Sequence, residues 1–107
     1  NLELNLIKVI EKNSMPGNDN ILIVLNLKKN KLEFIKEYHF ANLYYLQELY
    51  LSSNQISSIE SSSFKDLASL KSLFLNNNCI FQLDSRFFIN LQSLLNLDLS
   101  SNLITDL

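Results

Sequence analysis

A set of apolar and asparagine positions returns every 24 residues, and this period constrains the chain more tightly than anything else in it. Leu22, Leu25, Leu27, Asn30, Leu32, Ile35, Phe40 and Leu43 recur as Leu46, Leu49, Leu51, Asn54, Ile56, Ile59, Phe64 and Leu67. They recur again as Leu70, Leu73, Leu75, Asn78, Ile80, Leu83, Phe88 and Leu91, and a further copy begins Leu94, Leu97, Leu99, Asn102, Ile104, Leu107. Upstream, Leu2, Asn5, Ile7 and Ile10 fit the same frame at a spacing of 25, with Met15 in the phenylalanine slot. There the Pro16-Gly17-Asn18-Asp19 segment supplies turn chemistry for the extra residue. The chain therefore divides into a partial repeat over 1–21, full repeats over 22–45, 46–69 and 70–93, and a partial repeat over 94–107, all in one domain over 1–107. A unit this short cannot bury its apolar side alone, so successive copies must stack.

Within each copy the leucines alternate with variable residues, which is the period of a strand with one face buried. A return of about 18 residues follows each strand, too long for a hairpin, so the strands are expected to be parallel. The recurring asparagines Asn30, Asn54, Asn78 and Asn102 stand where the strand ends. An amide can donate and accept at once, and a stacked ladder of them would satisfy the turn backbone. Phe40, Phe64 and Phe88 are expected to stack as a spine filling the convex half of the core. Ser61-Ser62-Ser63 precedes Phe64 as a capped short helical turn would.

The pattern LxxLxLxxNxIxxI followed by xxxxFxxL resembles the leucine-rich repeat, in the 24-residue form of extracellular animal proteins such as Toll-like receptor ectodomains and matrix proteoglycans. The resemblance covers nearly the whole chain. It lacks the LxGxIP signature of plant receptor repeats and the longer alternating repeats of ribonuclease-inhibitor-like proteins. It implies an α/β solenoid: a right-handed horseshoe segment with a parallel β-sheet on the concave face and loops and short helical turns on the convex face.

Composition removes several alternatives. A net charge of −2, with a mild basic-to-acidic gradient along the chain, lacks the electrostatic footprint of a nucleic-acid binder, and none is expected as partner. No apolar run approaches the ~20 residues of a membrane helix, so no direct membrane insertion is expected. One cysteine, Cys79, and one histidine, His39, leave too few ligands for a structural metal site, and the single glycine, Gly17, excludes glycine-rich phosphate cradles. No cofactor is expected. No hydroxyl stands in a nucleophile motif, so no catalytic residue is assigned and the chain is read as a non-enzyme.

With the leucines turned inward, three columns face out from the concave sheet: Val24, Glu48, Ser72, Asn96; Asn26, Tyr50, Phe74, Asp98; and Lys28, Ser52, Asn76, Ser100. Tyr50 and Phe74 fall on adjacent strands and form an exposed aromatic pair of the kind that anchors interfaces. The candidate ligand-binding residues are Tyr50, Phe74, Glu48, Asn76, Asp98, Lys28, Asn26 and Ser72. Cys79 should face solvent at the lateral edge, and Phe34 with Phe81 offers a lateral apolar patch for dimer contact. Five strands spaced about 4.8 Å apart make a face of several hundred Å², short of the ~800 Å² of a standard footprint, so the site should continue into further repeats.

The resemblance implies a protein-interaction module, part of a cell-surface receptor ectodomain of innate-immune or adhesion type, that binds a protein or other macromolecular ligand on its concave sheet, with a homodimer as a further option. The rivals are a structural matrix scaffold and the regulatory repeats of an intracellular signalling enzyme. The absence of any Asn-x-Ser/Thr acceptor counts against the extracellular reading, and an intracellular location stays open.

Overall fold

The computed structural model describes residues 22–104; the degenerate upstream half-repeat, with its expected strand and its Pro16-Gly17 turn, lies outside the described residues. Four three-residue strands, β1 (Val24–Asn26), β3 (Glu48–Tyr50), β5 (Ser72–Phe74) and β6 (Asn96–Asp98), form one parallel sheet in the order β1-β3-β5-β6. Val24 pairs with Glu48, Glu48 with Ser72 and Ser72 with Asn96, so the register is the 24-residue repeat itself. A slip of one residue would turn the leucines out to solvent, which is why the pairing is fixed. Backbone bonds extend the ladder past the strands, as when Leu51 N donates to Phe74 O at 2.8 Å.

Beneath the sheet, Leu49, Leu51, Leu73 and Leu75 are wholly buried, together with Leu27, Leu46, Leu70, Ile56 and Ile80. The outer flank of β6 carries no further strand among the described residues, and there Leu97, in the same inward slot, is 37% exposed.

After each asparagine turn, period-two alternation resumes, and β2 (Phe34–Ile35) pairs in parallel with β4 (Ser58–Ile59) in a second, two-stranded sheet that the sequence reading did not anticipate. Its third member is missing among the described residues. Gln82 and Leu83, 24 residues after Ser58 and Ile59, form no strand, and a cleft of about 460 Å³ opens between Ser57–Ile59 and Phe81–Asp84. At Asp84 the chain turns away into a 3-10 helix (Ser85–Phe88), capped by the Asp84 carboxylate, which accepts from Arg86 N at 2.9 Å.

That helix corrects the expected spine. Phe40 and Phe64 are buried, and their rings lie 5.9 Å apart, but the next ring against Phe64 is Phe87, at 5.0 Å and 1% exposed. Phe88 is 39% exposed and meets Phe87 edge-on. Phe87 occupies the repeat position of His39 and Ser63, both buried, so its ring fills inner volume that a smaller side chain occupies in the preceding repeat. Phe88 is left on the flank of the described residues.

The serines also differ from expectation. Residues 61–66 form turns and no helix, and Ser63 acts as a donor, its hydroxyl reaching Ile35 O of the preceding repeat at 3.1 Å. Convex helical structure among the described residues is confined to Ser85–Phe88.

Candidate interface on the parallel sheet

Each strand ends in a turn that serves the site as well as the fold. The residue before each ladder asparagine adopts positive φ, at Lys29 (58°), Ser53 (57°), Asn77 (59°) and Ser101 (56°). This left-handed step turns the chain down so that the following asparagine points inward. Asn78 Oδ1 then accepts from Asn54 N at 3.1 Å and Ile56 N at 3.0 Å, while its Nδ2 donates to Leu51 O and Leu75 O. Asn102 does the same for the rung before it, accepting from Ile80 N and donating to Leu75 O and Leu99 O. Asn30, Asn54 and Asn78 are buried and Asn102 is half-buried. These amides hold the scaffold and are not available to a partner.

The outward columns sit on that frame. Tyr50 and Phe74, directly paired across β3 and β5, stack with ring centroids 4.9 Å apart and planes within 8°. The Tyr50 hydroxyl donates to Glu48 Oε1 at 2.6 Å, two residues back on the same face. The carboxylate beside it pushes the phenol above its ordinary value, first through that hydrogen bond, so Tyr50 stays protonated. Lys28 Nζ, from the preceding rung, lies 5.3 Å from the Tyr50 centroid.

Around the pair, Ser52 Oγ donates to Asn76 Oδ1 at 2.6 Å, and Asn96 Nδ2 to Ser72 Oγ at 3.2 Å. Asn26 Oδ1 accepts from Lys28 N, tying its side chain to its own turn. Asp98 Oδ1 likewise accepts from Ser100 Oγ and Ser100 N, and these bonds hold the Asp98 carboxyl below the usual carboxylate range. The structure thus links Tyr50, Phe74, Glu48 and Lys28 in one assembly and places Asn76, Ser72 and Asp98 beside it; Asn26 is turned to backbone work.

Sequence reasoning missed the Lys28–Tyr50 and Glu48–Tyr50 contacts. Their signal was present: residues two apart in a strand share a face, and positions near 24 apart share a column. The lateral features are less coherent. Cys79 is free and exposed, while Phe34 and Phe81 are 47% and 55% exposed. They belong to columns one residue apart and two rungs apart, and Phe34 has Lys36 Nζ over its ring at 5.7 Å instead of another ring.

The comparisons now bear on the architecture. The family model described as leucine rich repeat matches residues 1–56, 22–80 and 45–104. The chain belongs to the leucine-rich-repeat family. Among solved structures, the crystal structure of a TLR13–ssRNA13 complex matches with a TM-score of 0.86 and 35% identity over 94% of this chain. The leucine-rich repeats described above are therefore similar in fold and sequence to those of a Toll-like receptor. The chain spans only 14% of that protein's length. Comparison with curated proteins returned no match.

Proposed function

We propose that this leucine-rich-repeat chain is a non-catalytic recognition module, a stretch of a receptor ectodomain that binds a protein partner on the parallel sheet around Tyr50 and Phe74. One observation carries the reading: on a sheet whose other outward groups, Val24 apart, are polar and mostly bonded to one another, two aromatic rings are stacked and half-exposed. A rigid aromatic pair supplies contact area at little cost in rotamer entropy. Continued in longer protein, the same stacking of rungs would bend into the horseshoe that the repeat type implies, with this sheet on its inner side. The same receptor likeness supports reading the location as extracellular or lumenal.

Single-stranded RNA is the second reading. The solved relative is an RNA complex, so the near-neutral charge of this segment does not exclude nucleic acid for the whole protein, and stacked rings are platforms that bases use.

The test is equilibrium binding of the immobilised chain to a panel of purified extracellular proteins and to single-stranded RNA. Wild type is compared with Tyr50→Glu, Phe74→Glu and, on an exposed back-face position, Ala68→Glu. Loss in the two sheet variants with retention in Ala68→Glu, at unchanged circular dichroism, is the expected result. Equal binding in all four proteins removes the sheet as the interface.

A further inference from the structure

The aromatic stack is lopsided. On one side Lys28 Nζ lies over the Tyr50 ring; on the other, no cation or second ring lies over Phe74 among the described residues. What faces Phe74 there is Asp98, its direct partner in the β5–β6 register. Adjacent strands stand about 4.8 Å apart, so Asp98 sits one strand spacing from Phe74, within the span of a single cation lying over an aromatic face. The Asp98 side chain is short and curled toward its turn. Oδ1 takes both bonds from Ser100, leaving Oδ2 with no hydrogen bond among the described residues. Two groups that attract positive charge, an aromatic face and a carboxylate, thus stand on neighbouring strands with no cation over the ring among the described residues.

From this geometry we propose that the Phe74–Asp98 step is the seat of an arginine side chain of the protein partner, its guanidinium lying along the outer face of Phe74 and pairing with Asp98 Oδ2. The assignment rests on the sheet being the partner surface. Arginine fits better than lysine because its planar guanidinium can lie on the ring and bond the carboxylate in one pose. A phosphate would meet Asp98 with like charge, and a neutral aromatic would leave the carboxylate unused. The chain's own Arg86 is held by Asp84 at 2.6 Å, so a second copy does not offer that guanidinium free. With an arginine seated, the column would run cation, ring, ring, cation, with Glu48 and Asp98 as the flanking carboxylates.

The test uses aromatic and backbone NMR of the full chain titrated with acetyl-Gly-Arg-Gly-amide, its Lys and Gln counterparts, and a short oligouridylate. The expected result is a saturable shift of the Phe74 ring and Asp98 signals with the arginine peptide, at least fivefold weaker with the glutamine peptide. Asp98→Asn, which keeps the Oδ1 acceptor and therefore the turn, should weaken the arginine peptide at least tenfold, and Asp84→Asn should leave it unchanged. Equal response to arginine and glutamine, no effect of Asp98→Asn, or oligouridylate displacing the peptide and binding more tightly to Asp98→Asn would each overturn the proposal. Failure of these arms while Phe74→Glu still abolishes protein binding would remove the arginine seat alone; indifference of that binding to Phe74→Glu would remove the sheet interface.

Discussion

Asn54 holds the rung of Asn30: its Oδ1 accepts from Asn30 N at 3.1 Å and Leu32 N at 3.2 Å, and its Nδ2 donates to Leu27 O at 3.0 Å. The same amide closes its own turn through Leu51 O. Asn54→Ala leaves buried backbone donors and acceptors unpaired, and the expected cost is about 2–3 kcal/mol. Asn54→Asp should also destabilise, because a carboxylate cannot donate to Leu27 O. Asn102→Ala, at a half-buried site, should cost less. Urea denaturation of the three variants checks the ranking.

Ser53 pays a steric penalty for its φ of 57°, where the Cβ of an L-residue crowds its own backbone. Ser53→Gly should raise stability by about 0.5 kcal/mol, the relief of the left-handed strain being partly offset by the added freedom of the unfolded chain. A β-branched side chain is the worst case there, and Ser53→Val should cost more than about 1 kcal/mol. Thermal melts of both variants test the sign of each change.

The third buried ring is Phe87, so Phe87→Ala should cost about 3–5 kcal/mol and Phe88→Ala distinctly less. Equal losses in the two variants, measured by chemical denaturation, would contradict the packing described here.

His39 makes the fold sensitive to acid. Its Nδ1 accepts from Lys36 N at 2.9 Å, and its buried Nε2 has no hydrogen-bond partner among the described residues. Burial, then the Lys36 charge, lowers its pKa below the ordinary value, with Glu60 acting the other way. The unfolded chain therefore takes up a proton near pH 6.5 that the folded chain still refuses, so this contribution to stability falls as pH drops below about 6.5 and levels off below the folded pKa. His39→Phe, which places at this position the residue found at Phe87, should flatten the stability–pH profile in that window while leaving the profile above pH 7 parallel to wild type. Denaturant midpoints across the acid range provide the measurement.

The Tyr50–Phe74 stack contributes to stability before any partner arrives. A double-mutant cycle with Tyr50→Ala and Phe74→Ala should give a coupling of about 0.5–1.5 kcal/mol. Tyr50→Phe should keep most of it while removing the hydroxyl bond to Glu48.

The repeat frame made the sheet legible in advance, because a 24-residue period and two-residue alternation leave one register that buries Leu49, Leu51, Leu73 and Leu75 together. It also put Tyr50 beside Phe74. It misjudged Phe88, because two adjacent phenylalanines offer the convex core a choice that periodicity alone cannot make, and bulk at the Ser63-equivalent position decided it. The serine turns misled for a related reason: a hydroxyl beside a turn can cap it locally or reach across to the preceding rung, and Ser63 reaches across. The 3-10 helix is capped by one acid, Asp84, answering Arg86, a local contact that has no counterpart in the other copies, and Asp84 also lines the lateral cleft.

The asparagine bonds that cross between rungs all run one way, each rung lending its amide to the rung before it. The stack is therefore directional: harm done at one turn is felt toward the N-terminus, and each segment owes its closure to the sequence that follows it. Removing everything after Leu99 would leave the rung of Asn78 intact in composition yet strip Ile80 N of its acceptor. During synthesis, a rung could close its own carbonyls at once, but its turn N–H groups would wait for the next asparagine to emerge.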